Sequence, residues 1–171
     1  MNQTQVIEPP ATHQLVLRPA GGADAASLSE MLLGLPEWSL YMRFQTAIGS
    51  PPRPELLQQM LEPNGAAWVA ERDGRVIGHS MWAWVAGVEV PTVELAVIVA
   101  EAEQRRGLGV QLMTESGRHA LAAGAGQFLV MVSAMNDKVL RMVRRRWPSA
   151  RVERDGALLN FTVPAADFFT G

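Results

Sequence analysis

Apolar and polar positions change period several times along the 171 residues, and each change marks an element. Residues 14–18 alternate, which predicts a short strand ending at Pro19. Asp24 then precedes Ala25, Leu28, Met31 and Leu32, whose spacing predicts a helix capped by Asp24 and closed by Gly34. Residues 36–54 follow neither period, contain Gly49 and several prolines, and carry Tyr41, Arg43 and Phe44; they read as a loop with aromatic content. Pro54 opens a second helix that puts Leu57, Met60 and Leu61 on one side.

From Ala66 a period of two takes over. Residues 66–72, the pair Asp73-Gly74 and residues 75–84 predict a hairpin, because Asp-Gly supplies the positive dihedrals of a tight turn. Residues 92–99 predict a central strand, with Val93, Leu95, Val97 and Val99 on one face and Glu94, Ala96 and Ile98 on the other. Leu108, Leu112, Met113, Ser116, Ala120 and Leu121 then follow helical spacing up to a stop at Gly124. A strand over 128–133, a helix over 137–146 halted by Pro148, and two short strands around Asp155-Gly156 complete the order. Strands clustered in the middle and helices on both sides predict one mixed α/β sheet, with residues 99–109 resembling half of a βαβ crossover.

Composition narrows the classes of function. With 48% apolar residues the chain can fill one full core, so residues 13–171 are expected to form a single domain behind a loose leader, residues 1–12. That leader has neither a basic start nor an apolar run and does not read as a signal peptide, and no apolar stretch reaches the ~20 residues that span a bilayer. A cytoplasmic protein without a membrane partner is the expectation. A formal charge of −2 argues against non-specific attraction to nucleic acid, and the absence of cysteine excludes disulfides, thiolate metal sites and a cysteine nucleophile. His13, His79 and His119 have no ligand-like spacing, so no metal is expected. Trp82 and Trp84 share one strand face and read first as packing.

Candidate chemistry concentrates in Gln104-Arg105-Arg106-Gly107-Leu108-Gly109, between a strand and a helix. Gly107 and Gly109 let the backbone approach a ligand, the amides and positive dipole end of the helix favour a pyrophosphate, and Arg105 and Arg106 add charge. On spacing alone, a glycine-containing helix start with surface arginines reads equally well. Arg141, Arg144, Arg145 and Arg146 read first as a solvated helix face near a C-terminus, and second as a contact for a phosphate.

That turn resembles the Gln/Arg-x-x-Gly-x-Gly/Ala signature of the Gcn5-related N-acetyltransferase (GNAT) superfamily. Val93-Glu94-Leu95-Ala96-Val97-Ile98-Val99 with residues 100–112 looks like that fold's fourth strand, pyrophosphate loop and third helix, and Met135-Asn136-Asp137-Lys138-Val139-Leu140-Arg141-Met142 like its Asn-bearing strand end and fourth helix. Residues 34–44 and Pro54-Glu55-Leu56-Leu57 are similar to the front of Pat-type protein lysine acetyltransferases. The resemblance implies a mostly antiparallel twisted sheet of about six to seven strands, its fourth and fifth strands splayed, flanked by about four helices.

It also implies acetyl-CoA as co-substrate, with pantetheine running along Val97, Ile98 and Val99 like an added strand, the diphosphate on the amides of Gln104, Arg105, Arg106, Gly107, Leu108, Gly109 and Val110, and Asn136 near the pantetheine or thioester. Asn136 also reads as a helix N-cap, and both roles are compatible. Glu94 stands where the Pat-type pattern carries a Glu and is the expected general base, since an amine of reference pKa ~10.4 must lose its proton before it attacks. Glu89 is the reserve. The Tyr that many members place seven residues after the Asn is replaced by Val143, and Trp147-Pro148 stands where Gly-Phe is usual. Tyr41 is expected to line the acceptor groove. The acceptor implied is a protein lysine, with a small amine or a protein N-terminus as alternative and a non-catalytic acetyl-CoA sensor as the reading from another class; a monomer or homodimer is expected.

Overall fold

In the computed structural model, which describes residues 14–170, one seven-stranded sheet carries every other element. The elements are β1 (Leu15–Pro19), α1 (Ala25–Leu33), α2 (Glu37–Phe44), α3 (Pro54–Leu61), β2 (Gly65–Arg72), β3 (Arg75–Trp84), β4 (Thr92–Val99), α4 (Leu108–Ala122), β5 (Gln127–Ser133), α5 (Asp137–Arg146), β6 (Arg151–Asp155) and β7 (Leu158–Pro164). The strand order is β1-β2-β3-β4-β5-β7-β6. Every neighbouring pair is antiparallel except β4 and β5, joined by the right-sized crossover through α4. The expected leader and His13 lie outside the described residues.

Alternation along β4 splits the core in two. Val93 and Leu95 join Trp68, Trp82, Leu108, Leu112 and Phe128 under α4, whereas Ile98 joins Val69, Val76, Leu28, Leu32 and Leu57 under α1 and α3. Trp82 and Trp84 meet edge to face with centroids 5.5 Å apart in the α4 cluster, so they pack the core and stand on the face opposite Glu94. The Ser80 and Ser116 hydroxyls, 2.7 Å apart, pair their buried polar groups between β3 and α4. Trp147, at the departure from the family's usual Gly-Phe, ends α5 in the core: its indole N–H donates to the Phe168 carbonyl at 3.1 Å and its ring stacks on Phe168.

Three expectations need correction. Residues 36–54 are not all loop: Glu37–Phe44 is helical, with Pro36 before it and Gln45 in the left-handed region (φ 56°) after it. None of its residues is fully buried, and only Leu40 and Phe44, one turn apart, pack against the core, a stripe too short to announce a helix. This makes five helices rather than about four. Asp24 precedes α1 but does not cap it by a side-chain bond; its carboxylate accepts from Arg18 at 2.7 Å and from the Gly21 N–H at 3.0 Å, and Arg18 also pairs with Glu71. The Arg18 hydrogen bond holds the Asp24 carboxyl below the usual carboxylate range.

Candidate active site

The parallel pairing of β4 with β5 is short. It joins Thr92 to Gln127, Val93 to Phe128 and Glu94 to Leu129, and stops. Beyond Glu94, β4 continues to Val99 paired only with β3, while β5 continues to Ser133 paired only with β7. The strands therefore part after Glu94, and among the described residues the β5-side edge of β4 over Leu95, Ala96, Val97, Ile98 and Val99 has no strand partner. An extended ligand backbone fits such an edge.

At the end of β4 the chain enters the turn before α4. Gln104 reaches back, its amide N–H donating to the Val99 carbonyl at 3.2 Å. Arg105 (φ 64°) and Gly107 (φ 80°) both occupy the left-handed region, and a β-carbon on Gly107 would meet no atom within 4 Å. α4 begins there without a side-chain cap and without an acidic residue in its first turn. Its first amides are left for another partner, an anion for preference. Leu108 is buried, so it contributes its backbone alone, while Arg105, Arg106 and Val110 are exposed and Gly109 half-buried. The turn is anchored from behind: Arg72 on β2 donates to both Glu103 carboxylate oxygens at 2.7 Å, and Arg106 lies 3.6 Å from the same group.

Asn136 follows β5 and caps α5, its Oδ1 accepting the Val139 N–H at 3.2 Å. The expected cap is therefore made, and no described residue engages the amide nitrogen. Seven residues on, Val143 is 1% exposed in the core and offers no polar group. Arg141, Arg144 and Arg145 form an exposed face of α5.

On the opposite face of the sheet stand Glu94 and, from the same face of β3, His79. Glu94 is half-buried, and no described residue gives its carboxylate a hydrogen bond or an ion pair. His79 is fully buried; its Nε2–H donates to the Met60 carbonyl at 2.9 Å, which leaves Nδ1 bare and unpartnered. Burial pushes this imidazole down to about 4, so it is neutral. α2 lies against β5 on this side and sends Arg43 toward both groups: Glu94 is the acid whose charge acts on Arg43, and Arg43 in turn acts on His79. Sequence reasoning did not select Arg43 as a site residue, since only the tertiary fold brings it to Glu94. Tyr41 is exposed, its ring stacked with Trp38 at 6.4 Å, and Glu89 is exposed in the β3–β4 connection.

The Acetyltransferase (GNAT) family pattern matches residues 36–146. The chain belongs to the GNAT family. It is an acetyl-CoA-dependent acetyltransferase, with the mixed seven-stranded sheet and splayed β4–β5 pair of that fold. Solved structures agree on the fold. The GNAT domain of S. lividans PAT superposes with a TM-score of 0.73 at 18% identity, covering 86% of this chain and 89% of that one. The yncA acetyltransferase from Salmonella typhimurium, solved with acetyl-CoA, gives 0.66 at 18% identity over 89% and 94%. A ribosomal-protein-alanine N-acetyltransferase from Brucella melitensis gives 0.67 at 21% identity over 87% and 99%. No curated protein matches the chain significantly. Among the described residues, no cluster of His, Cys, Asp or Glu could hold a metal ion, and no helix is long and apolar enough to cross a membrane.

Proposed function

We propose that this GNAT enzyme acetylates an amine, by Pat-type resemblance a protein lysine in the cytoplasm, with Glu94 as general base. The observation that carries the proposal is the position of Glu94: a carboxylate without a hydrogen bond or contact ion pair among the described residues, at the last paired residue before β4 and β5 part. Acetyl-CoA supplies the acyl group as an activated thioester. The amides of Gln104, Arg105, Arg106, Gly107, Leu108, Gly109 and Val110 hold its diphosphate, and the free edge of Val97, Ile98 and Val99 holds the pantetheine arm. The Asn136 amide nitrogen donates to that arm while its Oδ1 keeps the cap.

Glu94 takes the proton from the entering amine, directly or through one water, so that the nitrogen lone pair is free to attack the acyl carbon. The leaving thiolate has a reference pKa of ~8.5, which makes protonation by a protein acid less necessary and fits the apolar Val143 at the usual Tyr position. A small amine or a protein N-terminus is the alternative acceptor.

The test is thiol release from acetyl-CoA with lysine peptides, proteins and small amines, comparing wild type with Glu94→Gln. Loss of a positioned base is expected to lower kcat/KM at neutral pH about 100-fold or more, with CoA affinity unchanged within about twofold. An unchanged rate and pH profile would remove Glu94 from the mechanism, and CoA binding without turnover on any amine would favour the sensor reading.

A further inference from the structure

The acetyl-transfer reading leaves the inner side of α2 unexplained. α2 buries no residue of its own, yet the Nε of Arg43 is shut off from solvent with no acceptor, and no described residue takes a hydrogen bond from any of the guanidinium's donors or forms a contact ion pair with it. Its guanidinium carbon lies over the neighbouring Phe44 ring, 4.9 Å from the centroid. Glu94 faces it from β4 and His79 from β3, while the β5 residues on that face, Leu129 and Met131, are apolar. A guanidinium stays charged inside a protein, and an enclosed charge without a hydrogen-bonded partner is costly. The facing Glu94 charge offsets part of that cost, but no described residue fills the guanidinium's hydrogen-bond donors.

A second orphan stands on the same side. Asn160 on β7 pairs with Met131, two residues beyond Leu129, and its Oδ1 is buried without a partner. An unfilled donor set, an unfilled acceptor and a free carboxylate therefore share one sheet face where β4 and β5 part. The proposed site for the CoA diphosphate is the turn before α4, against the other face, and the thioester end of that molecule is uncharged. Glu94 supplies an opposite charge but takes no hydrogen bond from Arg43, so the acceptor molecule is the remaining source of oxygens for the guanidinium's donors.

We propose that Arg43 binds a carboxylate carried by the acceptor close to the amine that Glu94 deprotonates, so that the preferred acceptors are aminocarboxylates. The planar fork of guanidinium donors matches two carboxylate oxygens, and this pairing sets which amine is presented to Glu94. The carboxylate has two sources, an acidic side chain flanking a lysine in a polypeptide or the α-carboxylate of a free amino acid. This inference rests on the acetyl-transfer reading above.

The experiment compares kcat/KM for matched acceptors that differ only by carboxylate against carboxamide: lysine peptides flanked by Glu or by Gln, and free amino acids against their amides. Wild type is expected to prefer the carboxylate about 10- to 100-fold in one of the two series, which identifies the source. In Arg43→Met the ratio is expected to collapse to within about twofold whatever the absolute rates, with Arg43→Lys in between. A wild-type ratio near one in both series, or a ratio that survives in Arg43→Met, would overturn the inference. If CoA binds but neither member of any pair is acetylated, the acetyl-transfer reading fails first and this inference falls with it.

Discussion

On the α4 side of the gap between β4 and β5 the proposed site is built from backbone, whereas on the α2 side it is built from isolated side chains. The turn before α4 offers amides, two left-handed residues and a free strand edge; its only essential side chain is one that is absent, at Gly107. The α2 side offers Glu94, Arg43 and Asn160, each with polar atoms that find no partner within the described residues. A backbone site recognises what every donor molecule shares. Side chains read what differs between acceptors, so the same fold can keep one co-substrate and change the other.

Changes on either side should break that contrast in opposite ways. The largest expected effect is the loss of turnover in Glu94→Gln, confined to the acceptor side and leaving CoA affinity in place.

Next comes the pH dependence of stability on the same side, because His79 is buried with its ring held by α3 and its proton affinity depressed to about 4. The unfolded chain takes up this proton near pH 6.5, before the folded protein does. Stability is therefore full above about pH 6.5 and falls by about 3 kcal/mol as the pH drops toward about 4. Urea unfolding between pH 7.5 and 4.5 checks it: His79→Leu is expected to flatten this slope, and an identical slope in both proteins would mean that His79 does not titrate as described.

The smaller effect lies on the donor side. A β-branched residue at the φ of 80° of Gly107 strains the turn. Gly107→Val is expected to weaken CoA binding about tenfold by calorimetry, while kcat at saturating acetyl-CoA stays within about twofold. Equal CoA affinity in the two proteins would show that the turn does not hold the donor.

The same contrast explains what the sequence alone could disclose. Glycine spacing between a strand and a helix is a local property, so residues 104–109 and the anion site they suggest could be read directly. Alternation along β4 likewise assigned Glu94 and Val93 to opposite faces, and Asn136 announced its own cap. α2 was hidden because its apolar side is short: only Leu40 and Phe44, one turn apart, pack against the core, and no residue is fully buried. Arg43 was hidden for a different reason: its meaning lies in lacking a partner, and a missing contact exists only once α2, β3 and β4 are in place. Asp24 misled because a capping residue and an ion-pair partner have the same sequence appearance, and Arg18 and Glu71 decided between them.

The central claim, that the turn before Leu108 holds the diphosphate of CoA, is tested most directly by a crystal structure of the complex. The diphosphate is expected within hydrogen-bond distance of the amides of residues 104–110, with the pantetheine arm along the free edge of β4. Clear density for the diphosphate at any other place would contradict the account.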